Sequence, residues 1–171
     1  MPDMLVNLLK LPKEDALLAA LAQEDIIIRR AMTPDQFRIQ RWVTTLMGEN
    51  AAGECAACFA RTPVSLFIAT HRDKVIGFAC YHATAPDFFG PTSVDTAYRG
   101  KGIGKALLIR ALRAMREEGF AYAIIGGVGP VHFYESAVHA TLIPDSDPSI
   151  YEDYLGRLES VYSATEPAHH S

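Results

Sequence analysis

Residues Val94–Leu108 read V-D-T-A-Y-R-G-K-G-I-G-K-A-L-L, with three glycines alternating with Lys101 and Ile103 just after Arg99. An amphipathic helical pattern begins among them. Glycine lets backbone approach a ligand closely and tolerates φ > 0. A helix start offers unpaired N–H groups and the positive end of a dipole. Together these features specify an anion site, most often one for phosphate. Two rival glycine motifs fail here. After Gly102 and Gly104, the third glycine of a dinucleotide fingerprint falls on Leu107. The P-loop spacing is one residue short between Gly100 and Gly104, and Ala106 stands where a magnesium-binding hydroxyl belongs.

The rest of the chain supplies the frame for this loop. Ile26–Arg30 is short and β-branched, as a first strand should be. Thr33-Pro34-Asp35-Gln36 has the form of a capping box with proline at N1. Behind it Ile39, Val43, Leu46 and Met47 share one helical face. A second helix is expected through the cysteines, ending before Pro63. Ser65–Thr70 and Lys74–His82, joined by His71-Arg72-Asp73, predict an antiparallel hairpin. Phe88–Val94 is a further strand leading into the glycines. Leu107, Leu108, Ala111, Leu112 and Met115 then fall on one helical face, and Gly119 supplies the stop. Tyr122–Ile125 has the composition of a strand buried on both faces, Val131–Ala137 of a helix, and Thr141–Ile143 of a last short strand. Residues 1–24 hold two apolar pieces separated by Pro12, and are expected to form a largely helical arm packed on the domain edge.

Composition narrows the function classes. The 171 residues suit one domain with a sizeable core, and 49% hydrophobic with 21% charged residues is globular. A net charge of −4 argues against a general nucleic-acid binder or a basic membrane-surface protein. No apolar run approaches the roughly 18 to 20 residues of a membrane span. Asp3 and Asn7 stand where a secretory leader wants positive charge and then an unbroken apolar stretch, so a cytoplasmic protein is expected. Cys55, Cys58 and Cys80 are too few for a disulfide framework. Cys55-x-x-Cys58 lacks the second ligand pair that zinc requires, so no metal is expected.

The spacing Arg99-x-x-Gly102-x-Gly104, with the element order and the segment His132-Phe133-Tyr134-Glu135-Ser136, resembles the GCN5-related N-acetyltransferases, the GNAT family. The resemblance covers about residues 25–145. It implies an α/β fold of the α+β type: a mixed, mostly antiparallel sheet with helices on both faces and a splayed cofactor cleft. It divides the chain into the arm 1–24, an acetyltransferase domain 25–162 and a frayed tail 163–171.

By resemblance, Arg99, Gly100, Lys101, Gly102, Ile103 and Gly104 hold the pyrophosphate of acetyl-CoA. The preceding strand binds the pantetheine arm, and an N–H near Val94 polarises the thioester carbonyl. The implied reaction is direct acetyl transfer to a primary amine of a small molecule, with Tyr134 as the acid that serves the leaving thiolate. A monomer or homodimer is expected, without nucleic-acid or membrane partners. Two other functions remain open: a non-catalytic module binding acyl-CoA or a partner, and acetylation of a protein N-terminus or lysine. The residues leave several candidates for the base, namely Asp95, His82, Asp87, Glu135 or a relayed water. Tyr81, Phe88 and Phe89 are candidates for an acceptor pocket. Cys80 is a conceivable nucleophile, though its apolar strand favours packing. The family's asparagine about seven residues before the tyrosine is Gly127 here, and Pro144 and Pro148 interrupt the closing hairpin that many members form.

Overall fold

The computed structural model describes residues 1–157. The tail expected over 163–171 lies outside the described residues. The elements in chain order are β1 (Met4–Asn7), α1 (Asp15–Gln23), β2 (Ile26–Arg30), α2 (Gln36–Met47), α3 (Glu49–Cys58), β3 (Leu66–His71), β4 (Lys74–Tyr81), β5 (Phe88–Val94), α4 (Ile103–Glu117), β6 (Tyr122–Ile125), α5 (Val131–Val138) and β7 (Thr141–Leu142). The strands form one seven-stranded sheet in the order β2-β3-β4-β5-β6-β1-β7. Every neighbouring pair is antiparallel except β5 and β6, which are parallel and joined through α4. The mixed, mostly antiparallel sheet is therefore present, with helices on both faces.

Each face has its own core. On one side α4 buries nine residues, from Ile103 to Met115. They join Leu21, Phe67, Ala79, Tyr81, Phe89 and Tyr134. The fit is close: a Cβ on Gly77 would lie 3.0 Å from Leu107 Cδ1. On the other side Ile39 and Val43 of α2, with Cys55 and Cys58 of α3, pack on Leu66, Ile68, Phe78 and Cys80. All three cysteines are free and buried. Local signals account for the joints. Arg72 and Asp73 both take positive φ, as a two-residue hairpin requires. Gly119, at φ +108°, ends α4: its N–H bonds Arg116 O and that of Phe120 bonds Met115 O, the double bond of a Schellman cap.

Three local expectations change. The capping box before α2 uses Asp35, not Gln36: its carboxylate accepts the Met32 N–H at 2.8 Å while paired with Arg29 at 2.7 Å. The chain forms a 3-10 turn over Thr33–Asp35 first, which shifts the helix start. At the end of α5 no glycine is present, and His139 itself adopts the left-handed conformation, φ 56°. The larger correction concerns the arm over 1–24. Only Asp15–Gln23 is α-helical; Met4–Asn7 is a strand inside the sheet, antiparallel to both β6 and β7. Met4 and Val6 are fully buried there, so this segment is core and not an edge decoration. A strand from the front of the chain thus fills the place between β6 and β7.

Helix α1 packs beside α4. Glu14 receives Arg113 Nε at 2.9 Å and Nη2 at 2.7 Å, a two-point clamp. That clamp carries α1 against the glycine loop.

Candidate functional site

β5 and β6 run together only briefly, with Phe88 opposite Ile124 and Phe89 opposite Ile125. The Gly126 N–H still reaches Phe89 O at 3.4 Å. Beyond that point β5 keeps β4 as its neighbour, while the chain after β6 turns away at Gly126-Gly127 toward α5. From Gly90 to Val94 one edge of β5 therefore faces a gap. Pro91, which has no N–H to pair, sits within this edge as sheet rules require. The Asp95 N–H bonds Ile76 O on the β4 side. Strand alternation then turns the Val94 N–H the other way, into the gap.

A cavity of about 560 Å³ opens from this gap along the start of α4. Of the residues singled out from the sequence, it brings together Val94, Arg99, Gly100, Gly102, Ile103, Gly104 and Tyr134. Gly100 and Gly102 both sit at φ +83°, a conformation that side chains rarely adopt. Around Gly100 there is open space, whereas a Cβ on Gly102 would lie 2.8 Å from Leu17 Cδ1 of α1. Gly102 caps α4, and the Ala106 N–H already bonds its carbonyl at 3.0 Å. The first N–H groups of the helix are thus left without intrahelical partners at the cavity wall.

Lys101 is not brought into the lining. Its ammonium pairs with Glu24 at 2.8 Å, behind the loop. The second cation at the cavity is Lys105, one turn into α4, which sequence reasoning missed. Its spacing from Arg99 gave no signal, since the loop between them has no regular period. The Arg99 guanidinium donates from Nε to Val94 O at 3.3 Å.

Tyr134 is placed by α5, with its ring edge-on to Phe133 and Phe89 at centroid distances of 5.0 and 6.4 Å. It is 5% exposed, and its hydroxyl has no hydrogen-bond partner among the described residues. Burial pushes its pKa up to about 12, so the phenol keeps its proton across the neutral range.

The candidate bases lie elsewhere, because no Asp, Glu or His lines the cavity. His82 is buried, accepts the Asp87 N–H on Nδ1 at 2.9 Å and meets Glu118 through Nε2 at 2.7 Å. An imidazole bonded on both nitrogens is held as structure. Burial raises the Asp87 carboxyl, and its buried Oδ1 has no partner among the described residues. Asp95 caps the turn after β5 by accepting the Ala97 N–H, and Glu135 faces solvent beside His132. Tyr81 is core, its hydroxyl accepting from Arg30. Cys80 is fully buried, and burial raises its thiol well above the ordinary range, which leaves no nucleophilic thiolate. Phe89 lines the cavity, while Phe88 packs on Gly126. Among the described residues no His/Cys/Asp/Glu group is arranged for a metal ion. No helix there is long and apolar enough to cross a membrane.

The residues present fit a phosphorylated, long-armed co-substrate. The loop offers N–H groups and two flanking cations to phosphate, and the open edge of β5 offers backbone hydrogen bonds to an extended arm. Fold and site together define an α/β domain with a cleft at the start of α4. A family model for the acetyltransferase (GNAT) family matches residues 29–138, and the chain belongs to that family.

No curated protein matches the chain. Among solved structures, it resembles the GCN5-related glucosamine N-acetyltransferase region of a fungal multi-domain GH3 β-N-acetylglucosaminidase, with TM-score 0.61 and 15% identity over 83% of this chain and 19% of that one. It is also similar to a GCN5-related N-acetyltransferase from Sphaerobacter thermophilus, with TM-score 0.58 and 19% identity over 83% and 48% of the two chains. A Trypanosoma brucei acetyltransferase follows at TM-score 0.51 and 20% identity, over 66% and 90%. The chain spans less than half the length of the first two. At these identities the likeness is one of fold.

Proposed function

We propose that this chain is an acetyl-CoA-dependent N-acetyltransferase that passes the acetyl group directly to a primary amine of a small molecule. The observation that carries this reading is one cavity lined by both the glycine loop and Tyr134. When bound, acetyl-CoA supplies an acyl group activated as a thioester. The N–H groups from Gly100 to Gly104, at the positive end of α4, receive its pyrophosphate. Arg99 and Lys105 add charge there. The free edge of β5 orders the pantetheine arm, and the Val94 N–H stabilises negative charge arising on the carbonyl oxygen.

An alkyl amine titrates near pKa ~10 and must lose a proton to attack. Tyr134 cannot take that proton, because its hydroxyl stays protonated. It donates a hydrogen bond to the departing sulfur. A thiol titrates near ~8.5, so the phenol holds its proton more tightly than the thiolate would. An alkylammonium gives up two protons on becoming an amide: one leaves to solvent before attack, and the other, released from the nitrogen after attack, balances the thiolate.

Acetyl-CoA is expected to raise the melting temperature, and a suitable amine to trigger thiol release. Tyr134→Phe should lower kcat on the order of 10²-fold, as for loss of one hydrogen-bond donor to a developing negative charge, with KM for acetyl-CoA and thermal stability kept. Unchanged turnover would remove Tyr134 from the mechanism. If neither acetyl-CoA nor CoA raises the melting temperature, the donor assignment is wrong. Stabilisation without thiol release to any amine or peptide would make the chain a binding module.

A further inference from the structure

The cavity that suits the donor is poorly suited to an ammonium ion. Its charged lining consists of Arg99 and Lys105 alone. With the donor's phosphates and arm occupying this cavity, an acceptor reaches the thioester from the other side of the sheet. The apex of the gap has two faces because Phe88 and Phe89 alternate along β5. Phe89 belongs to the core beside Tyr134. The Phe88 ring lies against Gly126, where a Cβ would meet it at 2.7 Å, and Tyr151 closes over the same glycine at 3.4 Å.

Tyr151 comes from a strap, residues 144–155, that follows β7. The strap is tied at both ends. Asp3 accepts the Ser149 hydroxyl and the Gly127 N–H, both at 2.8 Å, and the Ser146 hydroxyl accepts the Asp3 N–H at 2.8 Å. At the far end Asn50 of α3 donates to Leu155 O at 3.1 Å. One turn further along α3 stands Glu54. The Thr84 hydroxyl, from the β4–β5 loop, interacts with both the Glu54 carboxylate and the Tyr151 hydroxyl. No cation pairs with Glu54 among the described residues. Burial raises its carboxyl toward the neutral form, a cost that an arriving ammonium would offset.

We infer that Glu54, Thr84 and Tyr151 form the acceptor subsite, in which the Glu54 carboxylate receives the ammonium of a small monoamine entering from the α3 face. This rests on the acetyltransferase reading above. The class of acceptor follows from the walls. Phe88 and Tyr151 offer apolar and aromatic surface, which suits an alkyl or aralkyl body and a cation beside a ring. Of the carboxylates near these walls, Asp3 is already committed to Gly127 and Ser149, and Asp87, which precedes Phe88, keeps a buried Oδ1 without a partner among the described residues.

The test uses phenethylamine and n-butylamine as probes on the full chain. Calorimetric titration into CoA-saturated protein is expected to show saturable binding of at least one. Glu54→Gln should weaken that binding roughly ten- to hundredfold and raise KM for the amine equally, with kcat much less affected. Tyr151→Phe, which keeps the ring, should produce a smaller loss of the same kind. Acetyl-CoA should stabilise both variants as it does the unaltered chain, which shows that they fold and load. Equal amine binding by Glu54→Gln and the unaltered chain overturns the subsite. So does failure of both amines to bind protein that acetyl-CoA stabilises. Binding that depends on Glu54 without thiol release upholds the subsite and refutes the acetyltransferase reading instead.

Discussion

The glycine loop and the strap flank the same gap, yet their anchors differ in kind. Gly100–Gly104 is set by backbone conformation and by packing: two residues at φ +83°, and Leu17 within van der Waals reach of Gly102 Cα's missing side chain. Residues 144–155 are set by polar links to remote parts of the chain, through Asp3, Ser146, Ser149 and Asn50. Steric exclusion and helix geometry hold the glycine loop, whereas hydrogen bonds that single substitutions can remove hold the strap. On the proposed reading, a sterically fixed donor site faces a strap whose polar links can be changed without disturbing the loop.

Substitutions should separate the two. The largest effect is expected at Gly102→Ala, which adds left-handed strain of about 1–2 kcal/mol to a Cβ placed 2.8 Å from Leu17 Cδ1. Acetyl-CoA affinity, followed by calorimetry, should fall roughly ten- to hundredfold. Gly100→Ala carries the same strain into open space and should lose about tenfold or less; equal losses would deny α1 any part in bracing the loop. Next comes Asp3→Ala, which leaves the Gly127 N–H and Ser149 hydroxyl without their acceptor and should cost about 1–3 kcal/mol. Thermal melts should show that loss, with stabilisation by acetyl-CoA intact. A large drop in donor affinity instead would mean that the two sides are coupled. Lys101→Ala should do least. Lys101 and Glu24 are 38% and 52% exposed, and such pairs contribute below about 1 kcal/mol. A substantial loss of acetyl-CoA binding in that variant would return the Lys101 side chain to the phosphate site.

The same contrast governs what could be read from the residues alone. Helix α4, its stop at Gly119 and the loop before it are written in local periodicity and in glycine positions, so the fold and the loop that lines the cavity were legible together. β1 was not. Met4–Asn7 is four residues of a longer apolar piece, and a run so short has no period to separate strand from helix. What makes it a strand is the pair of vacant edges on β6 and β7, more than a hundred residues away. The strap escaped notice for the same reason, since its Asp, Pro and Ser content looks like loop until Asp3 is beside it. Glu54 was hidden inside E-C-A-A-C-F-A, where the cysteines drew attention to metal and redox chemistry. His82 misled in the opposite direction: a histidine at a strand end carries no mark of the Glu118 and Asp87 partners that occupy it.

The place of β1 also bears on how the molecule is assembled. Its strand is made well before its partners, Tyr122–Ile125 and Thr141–Leu142. Until those emerge, a piece of apolar chain waits unpaired while the rest of the sheet takes shape, and the closure it finally makes spans most of the sequence. Such long-range pairings are the slow kind. Completion of the sheet therefore waits on its C-terminal strands, and β1, made before every other strand of the sheet, is among the last to find its place.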